Sequence, residues 1–236
     1  MSIKKSIGKN SSKKVINILA KLRRRHNEND NINIWNESGM KYYYLGEFND
    51  AINYLTRSAN YNNSDAQIML SIVNIRIRDF PQAYKYIKLS VDNNNSTAQY
   101  IISISIINLF IQKEISSNNK FNKELNIKLD LETAIKYLKL SLIQGNIHAL
   151  YELGKLYIYG LHYNNIIYIA VNINRAIKCF EICSTRNHKY SLIILAFLYK
   201  NGLFVDKNIE KSKEYYELSN TLNSPSRLDF MNKYIK

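Results

Sequence analysis

Four histidines, two cysteines and nineteen tyrosines are the side chains of this 236-residue chain that chemistry would recruit first. His26, His148, His162 and His188 stand singly. No HExxH places two imidazoles on one helical face for zinc, no GxSxG forms a nucleophile elbow, and no glycine-rich loop cradles a phosphate. Cys179, Cys183 and His188 can be drawn together as three metal ligands, but their spacing fits no familiar zinc module. Nor do the two cysteines suit a disulfide, since they fall four apart on one predicted helix. A nucleophile, a base and an oxyanion arrangement are not assembled. The expectation is a protein that is not an enzyme, takes no cofactor or metal, and acts on no small-molecule substrate.

What remains is surface, and the elements that carry it. Ala134 to Gly160 reads as helix, turn, helix. Ala134, Tyr137, Leu138, Ser141 and Leu142 recur at helical steps, Gly145-Asn146 interrupts them with turn chemistry, and Ala149, Leu153, Gly154, Tyr157 and Gly160 form a second stripe. The same pattern recurs along the chain. Ala51, Ala83, Ala134, Ala176 and Ser212 align, and seven residues after each comes Ser58, Ser90, Ser141, Cys183 or Ser219. Between them lies a bulky pair, from Tyr54-Leu55 through Tyr86-Ile87, Tyr137-Leu138 and Cys179-Phe180 to Tyr215-Tyr216. Fifteen residues after the first four anchors stand Ala66, Ala98, Ala149 and Ser191, each followed five later by Ser71, Ser103, Gly154 or Ala196. Small residues at fixed steps let helices approach and bulky ones fill the gaps between, so internal repetition precedes every other assignment. In that register the two cysteines are core residues: Cys183 takes the slot of a serine and Cys179 that of a tyrosine.

Here the chain resembles Sel1-like repeats, relatives of the tetratricopeptide repeat. Ala149, Leu153-Gly154, Tyr157 and Gly160 match the Sel1-like pattern, and Ser191, Leu195-Ala196, Tyr199 and Gly202 match it more loosely. Trp35, Gly39, Tyr42 and Ala51 fall at the spacing of the tetratricopeptide consensus. The resemblance covers roughly residues 34 to 225 and is weakest between Asp65 and Gln112. It implies an all-α fold, a right-handed α-α superhelix or solenoid of about five helix pairs. Capping residues are expected at Asp65, Ser96, Asn146 and Asn187 before first helices and at Asp79 and Asp130 before second helices. Pro225 starts a last segment, Ser226 to Ile235, that reads as a C-terminal capping helix.

The resemblance further implies a protein-protein interaction scaffold whose first helices line a concave face. Superposed repeats put Tyr44, Arg76, Tyr100, Asn108, Tyr151, Lys155, Tyr159, Lys200 and Asn201 on that face, a set rich in the side chains that bind proteins. The opposing reading is that tyrosine is common here and that Tyr100 and Tyr151 are packing between repeats. The Lys and Asn clamp for a peptide carboxylate is missing, its slots holding Asn36, Met40, Ile68 and Ile72. Some Sel1-like proteins are described as hydrolases, a third reading behind the scaffold.

Residues 34–236 form the expected repeat array and residues 1–33 a basic extension, partly disordered or one amphipathic helix. The chain's formal net charge is +14; Met1 to His26 holds nine Lys and Arg and no acid, so +14 less nine leaves +5 on the other 210 residues. Lys13, Lys14, Lys21, Arg23, Arg24 and Arg25 cluster there, beside an apolar face of Val15, Ile18, Leu19 and Leu22. They suit a solvated tail or a cap on the first repeat, a nuclear import signal, a mitochondrial presequence, or an arm that tethers the protein to nucleic acid or an anionic membrane. Unpaired cysteines point to a reducing, intracellular compartment, cytoplasmic by default. The Asn, Ile and Lys bias resembles Sel1-like proteins of AT-rich genomes, including large DNA viruses of amoebae, which implies a viral protein. Anchors 32, 51, 42 and 36 residues apart place insertions at about 113–129, polar and mobile, and at 161–173, whose IIYIAV run packs across the array or forms a partner-binding flap.

Overall fold

A computed structural model describes residues 30–111 and 130–222. Among them are ten helices arranged as five antiparallel pairs: α1 (30–45) with α2 (Phe48–Ala59), α3 (Ser64–Arg76) with α4 (Phe80–Asp92), α5 (Ser96–Ile111) with α6 (Leu131–Ile143), α7 (Ile147–Tyr159) with α8 (Ile173–Thr185), and α9 (Lys189–Asn201) with α10 (Ile209–Thr221). Each pair packs on its neighbours, so the chain is an all-α solenoid. Helix α1 already includes residues 30–33, which the sequence reading gave to the basic extension. The Ser58 hydroxyl donates to the Ile32 carbonyl at 2.9 Å, which ties that first turn to α2. The basic cluster, the 113–129 insertion and the C-terminal segment lie outside the described residues.

Passage from one pair to the next is made the same way four times. A residue at positive φ reverses the chain, Asn62, Asn94, Gly145 or Asn187, and the residue after it caps the next helix. Asn63 accepts from the amides of Asp65 and Ala66, Asn95 from Thr97 and Ala98, and Asn146 from His148 and Ala149, at 2.9–3.1 Å. His188 does the same through Nδ1, 3.4 Å from the Ser191 amide. Asn146, Asp79 and Asp130 therefore cap as expected, whereas three caps are corrected: Asn63 for Asp65, Asn95 for Ser96 and His188 for Asn187. The reason is common to all. A cap must be extended backbone with its side chain over the first amides, and the neighbouring residues are already helical or left-handed.

Pairs close by a bond that ignores loop length. The carbonyl three residues after the small helix position accepts from the amide that opens the partner helix: Tyr42 from Glu47, Asn74 from Asp79, Tyr157 from Asn172 and Tyr199 from Asn208, at 2.8–3.0 Å. The loop spans five positions in the first two cases, fifteen in the third and nine in the fourth, so an insertion rides on a closure already made. The insertion after α7 is a β-hairpin, β1 (Leu161–Tyr163) antiparallel to β2 (Ile166–Ile169), turned by Asn164 and Asn165, both at positive φ. It does pack across the array: Leu161 is buried with Ile106, Ile107 and Leu131, and Tyr163 meets Phe110 edge-on at 4.9 Å.

The aligned small residues are the core's spacers. Ala51, Ala66, Ala98, Ala134 and Ala149 are all fully buried. The serine slot does more than leave room: Ser90 Oγ donates to the Ser64 carbonyl at 3.1 Å and Ser141 Oγ to that of Ser96 at 2.7 Å, as Ser58 does to Ile32. Cys183 Sγ takes the same place 3.7 Å from the Ile147 carbonyl. A second helix is thereby hydrogen-bonded to the first turn of its partner in four successive pairs.

Candidate functional site

The first helices of the last three pairs, α5, α7 and α9, bring aromatic side chains from distant sequence into one surface. Taking Ser103, Gly154 and Ala196 as equivalent, three positions before them lie Tyr100, Tyr151 and Ile193; six before lie Thr97, His148 and Tyr190; one after lie Ile104, Lys155 and Phe197. Solenoid stacking sets these rows side by side. Tyr100 meets His148 with ring centroids 5.9 Å apart, His148 meets His188 at 5.3 Å, and Tyr151 meets His188 at 4.7 Å and Tyr190 at 6.2 Å. Lys155 lies over the Tyr151 ring at 5.6 Å and pairs with Glu152 at 2.8 Å. On α9 the outward row stays uncovered, Tyr190 60%, Ile193 39% and Phe197 57% exposed.

Burial by helix stacking comes first in the electrostatics, and nearby charges adjust it. Burial pushes the Tyr100 phenol up, with Glu152 adding to it, and burial likewise raises Tyr151 against the opposing Lys155 charge. His188 is lowered, first by burial and then by His148. Its Nδ1 is spent on Ser191, whose hydroxyl lies 3.0 Å away, so the ring is a helix cap held neutral. Cys179 is pushed up to about 11 by burial, with Cys183 adding, and Cys183 is raised too; both thiols stay protonated near neutral pH and sit in the core. Among the described residues no three His, Cys, Asp or Glu side chains gather as a metal site, and no helix is long and apolar enough to cross a membrane.

The nine residues expected on the binding face fall at several steps along the first helices. Tyr100, Tyr151 and Lys155 join the aromatic surface. Tyr44, Arg76, Asn108, Tyr159 and Asn201 share a row at the C-terminal ends of the first helices, with Lys200 beside it. Tyr159 is 73% exposed, Arg76 Nε reaches Tyr43 Oη at 3.4 Å, Tyr43 meets Tyr44 edge-on, and Asn201 Nδ2 turns back to the Phe197 carbonyl. His148, His188, Tyr190, Ile193 and Phe197 were missed. The register that found Tyr151 and Lys155 would have found Ile193 and Phe197 at the same positions of the next repeat.

Residues 124–146, 147–188 and 190–224 each match the Sel1 repeat. No curated protein matches the chain by sequence. Among solved structures, the chain is similar to a Sel1 repeat protein from Oxalobacter formigenes at a TM-score of 0.59 and 16% identity, over 84% of this chain and 74% of that one. It is similar also to a protective antigen of uropathogenic Escherichia coli displaying an SLR fold, at a TM-score of 0.55 and 17% identity, over 78% of this chain and 37% of that one. At these identities the likeness is one of fold.

Proposed function

Because this chain carries three Sel1 repeats within a helical solenoid, and such repeats generally mediate contacts between proteins, we propose that it is a non-enzymatic scaffold that binds a protein or peptide on the first-helix face of α5, α7 and α9. The observation that carries this reading is the uncovered row Tyr190, Ile193 and Phe197, set beside Tyr151, Lys155 and the exposed Tyr159. Apolar side chains at three- and four-residue steps on an outward helical face cost the folded chain solvent exposure and return nothing to its own core. Large rigid rings flanked by a cation suit a partner's side chains at low entropic cost. An aromatic anchor in such a face is worth about 2 kcal/mol or more on truncation, some thirtyfold in affinity.

The test is affinity capture from nuclease-treated lysate with the full chain and with Phe197→Glu, after circular dichroism shows equal helix content. The same discrete protein recovered by the wild type and lost by the variant supports the reading; equal recovery by both, or recovery of nothing specific, removes it. The second reading, a tether to nucleic acid or anionic membrane, rests on the nine cations of Met1 to His26. Replacing Lys13, Lys14, Lys21, Arg23, Arg24 and Arg25 by glutamine would abolish a salt-sensitive retention on such a surface and leave protein capture intact.

A further inference from the structure

The hairpin after α7 has no part in closing its helix pair, since the Tyr157 carbonyl and Asn172 amide already do so. It is laid instead over α6, and the fit is not tight. Two cavities remain beneath it, about 390 Å³ and 510 Å³, sharing Ile135, Lys139 and Tyr168 at their boundary. Both are hollows open to solvent between α6 and β2, so a ligand can reach them without the hairpin moving. The floor of the narrower cavity is apolar, with Leu142 and Leu153, and its rim is cationic, with Lys139 and Arg175. The wider one continues past Lys136 to the exposed Ile166 and Ile167 of β2, with Glu132 the one acid on its lining. Among the described residues none of Lys136, Lys139 and Arg175 has a carboxylate partner; Arg175 lies over the Tyr157 ring, 5.8 Å from its centroid.

We propose that this cleft binds an extended acidic peptide segment, one that presents an aliphatic or aromatic side chain next to a glutamate or aspartate. Two hollows divided by Tyr168 take two side chains of one strand, while a small free acid would fill one and leave the other wet. The three unpaired cations supply the charge complement, and the apolar floor supplies the burial. This face belongs to α6, the hairpin, the start of α8 and the Leu153 and Tyr157 side of α7, a different stripe of that helix from Tyr151 and Lys155, so substitutions can address the two sites separately.

The test uses the full chain and a fluorescein-labelled peptide of alternating glutamate and leucine, beside its counterpart with lysine for glutamate. Anisotropy should rise with the acidic peptide only. Lys139→Glu, an exposed position, should weaken binding by about tenfold or more, and Lys139→Gln by less, while Phe197→Glu leaves it unchanged. Methyl NMR should place the peptide at Ile135 and Ile169. Equal binding of both peptides, no binding at about 1 mM, or shifts at Ile193 in place of Ile135 overturns the proposal. So does octanoate shifting Ile135 and Ile169 when the peptide does not, which would make the cleft a site for free acids.

Discussion

Replacing Gly154 by alanine adds one methyl where the structure has no room for it. The new Cβ would stand 2.7 Å from Phe180 Cε1, 3.0 Å from Cζ and 3.1 Å from Cys179 Cβ. Carbon atoms rest at about 3.5–4.0 Å, so the Phe180 ring must retreat by about 1 Å. It cannot do so freely: Phe180 is wholly buried, and Tyr151 lies against it with centroids 5.9 Å apart. Overpacking of this kind costs about 1–3 kcal/mol, and the helix gains about 1 kcal/mol from alanine over glycine, so the net loss is about 1 kcal/mol. Urea denaturation followed by circular dichroism reads the loss as a lower midpoint. Phe180→Leu, which withdraws the ring edge, should convert the added methyl from a cost into a gain. The double variant should then be more stable than the sum of the singles allows, by about 2 kcal/mol. If Gly154→Ala is as stable as the wild type, and the two changes simply add, then α7 and α8 do not meet at this point and the packing argument fails.

Three further outcomes follow from the same geometry. Ser141→Ala removes the 2.7 Å donor from the part-buried Ser96 carbonyl and should cost about 0.5–1.5 kcal/mol by the same urea assay. Cys183→Ser, which restores the hydroxyl that the other pairs use, should cost less. His188 is lowered from an unfolded value near 6.5. The unfolded chain therefore takes up the proton first, and the stability His188 contributes is complete above that value and is lost as pH falls below it toward the folded one. His188→Asn, which keeps a cap of the kind found at Asn146, should flatten the decline in melting temperature between about pH 7 and 5; an unchanged slope would show that His188 is not its source. With its thiol raised to about 11, Cys179 should react slowly with iodoacetamide in the native protein near pH 8 and rapidly in denaturant, read by mass spectrometry.

The repeat could be found without coordinates because its spacing is local. Ala134 to Ser141, and its counterparts, mark positions on one helix that must be small for the partner helix to approach, and every such position is buried. The anchors, the ten helices that follow from them and the core places of Cys179 and Cys183 needed only that regularity. The hairpin also left a trace, Asn164-Asn165 between two short apolar runs, which reads as a two-residue turn. Where it would lie was another matter, since nothing within 161–169 names Phe110 or Ile135 as its neighbours.

What the sequence by itself determined is the phase of the solenoid, because each small residue answers to a partner one helix away. What only the tertiary structure decided is which faces stay open. The α9 stretch KYSLIILAFLYKN is apolar nearly all round, so its periodicity could not separate buried Leu192, Leu195 and Leu198 from exposed Ile193 and Phe197 until α8 and α10 covered one side. His148 and His188 stand forty residues apart in the chain and 5.3 Å apart in space. That distance, like the cleft under the hairpin, is set by how one pair stacks on the next, a relation between elements that no single element encodes.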